Sequence, residues 1–213
     1  MCRFRYQGDI ELMETNDDRY SKLQNRIREI INNFAFKNDS SEVPTAPTPQ
    51  QQDFIRAMIV LCHAEFEDYL EEIAYNLLKI GIEKWNSSKI ANKNLAALFL
   101  DHDKIPTSQA KDITTKIYKV ISDYKNDIKS NHGIKRHNIN NLFNPLGYKE
   151  EDFDQTFINE LNSFGANRGE FAHNSCAKVT TILDYNDEKN KIERILKEIK
   201  DFEDSLERVN SFL

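Results

Sequence analysis

The chain has 213 residues, 30% of them charged and 39% hydrophobic, with only 6 glycines and 5 prolines, and its formal net charge is −6. This length can bury a proper core, and the composition suits helices while leaving few turns for an all-β fold. The acidic balance excludes a general nucleic-acid coat, which needs a basic face, but leaves room for a local basic patch.

Cys2, Cys62 and Cys176 are odd in number and far apart. That argues against a disulfide framework or a zinc ribbon and favours a reducing cytosol, so a cytoplasmic location is expected. The basic residues of Met1–Gly8 are followed by no apolar stretch, and the longest apolar run, Ala57–Cys62, is too short to cross a bilayer. Neither a secretory signal nor a membrane partner is expected.

In chain order, Asn16–Phe36 reads as a first helix, with Leu23, Ile27, Ile30, Ile31 and Phe34 at helical spacing. Lys37–Pro47 reads as a linker, since Pro44 and Pro47, with Pro49 just beyond, place three prolines within six residues and forbid regular helix there. Thr48-Pro49 is a strong helix start, a capping hydroxyl followed by proline at the first helical position. The helix it opens reaches about Trp85, with one apolar stripe through Ile55, Ile59, Cys62, Phe66, Tyr69, Ile73 and Leu77. That stripe reads as core. Its acidic neighbours Glu65, Asp68, Glu71 and Glu72 read as a solvated face.

Asn92–Leu100 carries a short apolar stretch, and Pro106-Thr107-Ser108 reads as the cap of a helix running to about Lys129. Ser130–His137 is a loop, and a short helix at Asn138–Phe143 is stopped by Pro145 and Gly147. Glu150 to about Asn167 is helical again, and a final helix from about Asn186 carries a seam of Ile192, Ile195, Leu196, Ile199, Phe202, Leu206 and Val209. The expected fold class is an all-α bundle, with residues 1–48 as an N-terminal helix and linker and 49–213 as the bundle proper.

Chemistry concentrates at Arg168 and His173. A guanidinium steadies the charge that builds on a phosphate under attack, and an imidazole moves a proton near neutral pH. Together they can cleave RNA without a metal. Five residues of ideal helix turn by about 500°, leaving the two about 140° apart. They share a site only if the helix ends between them, as Gly165 and Gly169 allow, or if a second subunit completes the site. A second pair, Arg56 and His63, falls on nearly one face of the long helix; His63 there reads as a structural histidine near the core. Lys125, Lys129, Lys135 and Arg136, with His132 and His137, form a candidate track for an RNA backbone. Tyr118 and Tyr124 read as core or rim, with base stacking the less favoured role. Glu170-x-x-His173 is half of a di-iron motif, but no second E-x-x-H exists in the chain. No metal site and no cofactor is expected.

The order of these segments resembles the HEPN superfamily, whose signature is an arginine, four to six residues and a histidine before the last bundle helix. Asn138–Tyr148, then a helix, then Arg168 through Ala172-His173-Asn174, is similar to the RiboL-PSP type of HEPN domain. Leu61–Leu70 is similar to the opening helix of that type, with its acidic residue at Glu67. The resemblance covers roughly Pro49–Leu213. It implies an all-helical domain that dimerises and brings two Arg–His pairs into one cleft. Members are typically metal-independent endoribonucleases of toxin–antitoxin and antiviral defence systems. On that basis RNA, a second copy of the chain, and an antitoxin or defence-system protein are the expected partners. His173 is assigned proton transfer and Arg168 the phosphate, with Asn167, Asn174, Glu67, Lys129, Lys135 and Arg136 as substrate-binding or supporting residues. The chain departs from the pattern at Gly169, where the family usually has a polar residue. The alternative is a non-catalytic helical RNA-binding or protein-interaction module with a degenerate site.

Overall fold

The structure is a computed structural model that describes residues 16–36, 47–101, 112–173 and 182–211. Among these residues there are seven α-helices and no strand. They run α1 (Asn16–Asn33), α2 (Pro49–Ser88), α3 (Lys93–Asp101), α4 (Ile113–Ser130), α5 (Arg136–Phe143), α6 (Gln155–His173) and α7 (Tyr185–Ser211), with short 3-10 turns at Asn144–Leu146 and Glu150–Asp152. No described helix is long and apolar enough to cross a membrane. The fold is an all-α, HEPN-like bundle.

The spine is α2. It begins as the Thr48-Pro49 pair requires: Thr48 Oγ1 accepts from the Gln51 backbone N–H at 3.2 Å while Gln51 Oε1 accepts from the Thr48 N–H at 2.8 Å. This capping box satisfies two otherwise orphaned helix-end groups. Every member of the expected apolar stripe is buried. The α7 seam, from Ile192 to Leu206, packs into the same core, as do Leu23, Ile27, Ile30 and Ile31 of α1. Polar ties fix the three helices in register. The buried Glu203 accepts from Arg19 at 2.5 Å and from the Tyr69 hydroxyl at 2.5 Å, and Tyr185 donates to the Ile31 carbonyl at 3.1 Å. A charge so deeply buried is tolerable because it is paired and hydrogen-bonded. Thus α1 runs antiparallel to α7 and is integral to the core.

One helix start differs from the expectation, and another expected start falls outside the described residues. The described part of α4 begins at Ile113, where Asp112, in extended backbone, accepts from the Thr115 N–H at 2.7 Å; the expected cap at Pro106–Ser108 lies outside the described residues. Glu150 does not open α6. Glu150–Asp152 make a 3-10 turn, and Asp154 Oδ1 then accepts from the N–H groups of Thr156 and Phe157, capping the helix at Gln155. The other end of α6 matters more. The helix does not stop near Asn167 but continues through Gly165 and Gly169 to His173. Glycine inside a helix costs only about 1 kcal/mol relative to alanine, and Gly165 offsets this by letting another segment approach. A Cβ there would lie 3.1 Å from Lys135 Cγ and 3.4 Å from Ile134 Cγ1.

Candidate functional site

Helices α2 and α6 meet where Phe164 packs edge-on against Phe66 and stacks on the imidazole of His63, with ring centroids 6.0 and 6.3 Å apart. His63 is buried, as a structural histidine should be. Its Nδ1 lies 3.4 Å from Glu67 Oε2, off the axis of a good hydrogen bond. One helical turn separates His63 from Glu67, and another separates Glu67 from Glu71, so the three form a ladder along one face of α2.

That ladder holds the loop between α4 and α5. Glu67 Oε1 accepts from the Gly133 N–H at 2.7 Å, and Glu71 Oε1 accepts from the Asn131 amide at 3.1 Å. Gly133 has φ of +126°, a conformation open essentially to glycine alone. The buried Asn138 completes the loop, accepting from the Lys135 N–H and donating to Asn131 Oδ1, both at 3.2 Å. The acidic run on α2 is therefore only partly a solvated face. Glu67 and Glu71 anchor a loop, a role signalled in the sequence only by their four-residue spacing.

Arg168 stands on α6 one turn beyond Phe164, half-buried, with its Nε buried and without a hydrogen-bond partner. Its charge reaches Glu67. Burial alone would raise the Glu67 carboxyl, but His63, the Gly133 N–H and the Arg168 guanidinium outweigh it and hold the group below the usual carboxylate range. Glu71 shifts the other way, raised by burial against the opposing Asn131 hydrogen bond, with Glu67 and Asp68 adding to the rise. The next residue, Gly169, borders open space, since a Cβ there would meet nothing within 4 Å.

His173 closes α6; its side chain and all of Asn174 lie outside the described residues. Because α6 is unbroken between Arg168 and His173, a helix end does not bring these positions together. On one chain they remain about 140° apart around the axis. Asn167 is half-buried on the same helix.

The candidate basic track breaks up. Arg136 Nη1 donates to Glu150 and, at 2.9 Å, to Gln155, while its Nη2 donates to Asn159 at 2.7 Å. It is a brace between α5 and α6 rather than a guanidinium aimed at solvent. Lys125 lies over the Tyr75 ring at 5.4 Å. Lys129 is exposed at the last turn of α4, and half-buried Lys135 lays its stem over Gly165. Tyr124 is fully buried and donates to the Leu142 carbonyl, so it offers no ring to a base; Tyr118 is an exposed rim residue. No group of His, Cys, Asp and Glu among the described residues is arranged to hold a metal ion.

Compared with known proteins, the chain matches the model of the RiboL-PSP-HEPN family over residues 21–208, a span that takes in α2, the Glu67 ladder and both Arg168 and His173. No curated protein and no solved structure matches it.

Proposed function

The chain belongs to the RiboL-PSP-HEPN family, whose functions are RNA-related, and from that premise we propose that it is a metal-independent endoribonuclease of a toxin–antitoxin or antiviral defence system. The observation that carries the proposal is the place of Arg168 and His173. They occupy the last two turns of the helix that precedes the final bundle helix, inside the matched span. Arg168 is held near the Glu67-anchored loop and is suited to an equatorial phosphate oxygen as negative charge develops. His173 takes the proton from a ribose 2′-hydroxyl, whose oxygen attacks the adjacent phosphorus. The P–O5′ bond breaks, and the histidine of a second copy returns a proton to the departing 5′-oxygen. The products are a 2′,3′-cyclic phosphate and a 5′-hydroxyl.

One observation favours the alternative of a non-catalytic RNA-binding or protein-interaction module. Gly169 puts no side chain where the family usually has a polar one, and the space beside it is open.

Incubating total RNA with purified protein in EDTA, wild type beside Arg168→Ala and His173→Ala, separates the two. Cuts ending in cyclic phosphate, made by the wild type and absent from both variants, are the expected result. Cleavage that survives in both variants, or a folded wild type that cuts no RNA class, overturns the proposal.

A further inference from the structure

Helices α2 and α4 lie side by side in opposite directions, and specific contacts fix their register. The Tyr118 hydroxyl donates to Asn86 Oδ1 at 2.9 Å, the Lys125 ammonium lies over the Tyr75 ring at 5.4 Å, and the Asn131 amide donates to Glu71 at 3.1 Å. Seven and four residues separate Tyr118, Lys125 and Lys129 on α4, and four and seven separate Tyr75, Lys79 and Asn86 on α2. Each set therefore falls on one face of its helix. The positions that complete these faces are Ser122 and Ile82, so the strip along which the helices meet carries three cations and no carboxylate. In a chain of net charge −6 that is a local basic track.

The groups of the strip are available. Tyr75 is 43% exposed and Tyr118 47%. None of the three lysines is in an ion pair among the described residues, whereas Lys119, on another face of α4, is paired with Asp123 at 2.5 Å. Lys125 touches Tyr75, but an ammonium over an exposed ring is a weak contact that yields to a stronger one. By helix rise Tyr118 stands about 10 Å from the level of Lys125 and Tyr75, the length of roughly three nucleotides in a stacked strand. Flat rings at that spacing, beside unpaired ammonium groups, suit unpaired bases joined by phosphates. An acidic polypeptide would satisfy the lysines and leave the rings unused.

The strip also leads to the candidate site. Beyond Tyr75 the same face of α2 turns acidic at Glu72 and Asp68, so a polyanion must leave α2 there. Exposed Lys129 stands at that point, where α4 gives way to the loop. The loop is held by Glu71 and, through Gly133, by Glu67, which feels the charge of Arg168. We infer that the strip between α2 and α4 binds the single-stranded RNA flanking the phosphate at Arg168, with bases stacked on Tyr75 and Tyr118 and phosphates on Lys79, Lys125 and Lys129. The inference rests on the RNA-directed reading above but not on cleavage.

The test titrates the full chain into a short fluorescein-labelled 2′-O-methyl oligonucleotide of mixed sequence, which 2′-hydroxyl attack cannot cut, and follows anisotropy over a series of salt concentrations. Tyr75→Leu and Tyr118→Leu should each weaken binding roughly tenfold, the worth of one stacked base. Tyr118→Phe keeps the ring and should bind like wild type. Lys79→Gln and Lys125→Gln should each lower the slope of log affinity against log salt by about 0.7, the loss of one single-strand phosphate contact. These side chains all reach the surface, so the variants should fold, and the ring and lysine variants test the strip separately. No binding by the folded wild type, full affinity in both leucine variants, or equal loss in Tyr118→Phe and Tyr118→Leu would overturn the inference. So would an unchanged salt slope, duplex RNA bound as tightly as single strand, or displacement by polyglutamate as effective as by RNA. Strip-dependent binding by a protein that cuts no RNA would uphold the strip and remove the nuclease. Cleavage whose kcat/KM is the same in the strip variants would uphold the nuclease and remove the strip.

Discussion

Replacing Glu67 tests how the site is held together, independently of any activity. Its Oε1 accepts a 2.7 Å hydrogen bond from the Gly133 N–H, and Gly133 is buried with φ of +126°. In Glu67→Ala that buried N–H loses a charged acceptor, and a bond to a charged group is worth about 1.5–3 kcal/mol. Loss of the negative charge between His63 and Arg168 adds to the cost, so we expect about 2–3 kcal/mol in total. For a chain of this size that lowers Tm by roughly 4–12 °C. Glu67→Gln keeps an acceptor for Gly133 and loses only the charge, so its cost should be about 1 kcal/mol. The two variants also separate by pH. The folded carboxyl is held below its ordinary value, so its stabilisation is complete above the ordinary carboxylate range and disappears as pH falls through the lowered one. The gap between wild type and Glu67→Gln should therefore close in acid, and Asp68 and Glu71, which the Glu67 charge helps to raise, should titrate lower in the variant. Thermal melts followed by circular dichroism from neutral to acidic pH measure all of this. A Glu67→Ala protein melting within about 1 °C of wild type would refute the anchoring role.

Gly165→Val should destabilise by about 1–3 kcal/mol in urea titrations, because the added methyl groups meet Ile134 and Lys135. Gly169→Asn meets no neighbour and should leave stability within about 0.5 kcal/mol of wild type; on the nuclease reading it should also raise cleavage in the EDTA assay by restoring a polar group beside Arg168. Burial pushes the Cys62 thiol up to about 12, so this cysteine should resist alkylation at neutral pH until the protein is unfolded, as mass spectrometry of the labelled peptide can show. Tyr124→Phe strands the buried Leu142 carbonyl and should cost about 1–2 kcal/mol in the same urea titrations.

What the sequence disclosed, and what it withheld, follows from the range of the forces involved. Helical periodicity is local, so the α2 stripe and the α7 seam were legible residue by residue, as was the Thr48-Pro49 cap. The end of α6 was not. Gly165 and Gly169 carry a local stop signal, and it is overridden because α6 packs against the loop at Ile134 and Lys135, a contact between positions thirty residues apart. Arg136 misled for a similar reason. In one dimension it belongs to a cluster of cations, and only the fold brings Glu150, Gln155 and Asn159 to its guanidinium. Glu67 stood out by resemblance, but its work as an anchor needed Gly133, sixty-six residues away.

The unbroken helix also constrains how many molecules the proposed chemistry needs. Arg168 is drawn toward Glu67 and the loop that Glu67 anchors, and His173 sits about 140° further around the same axis. An interruption at Gly169, which lies between them, would have let one chain bring both positions to a single phosphate, and α6 has none. On the proposed reading, the guanidinium and the imidazole that act on one phosphodiester come from two copies whose α6 helices approach each other. Gly169, one residue from Arg168, leaves room for such an approach, because a Cβ there would meet nothing within 4 Å. If the chain cleaves RNA at these residues, activity per molecule must fall as the protein is diluted below its self-association constant. A rate per molecule that stays constant through that dilution would be incompatible with the geometry of α6, whatever the fate of the individual substitutions.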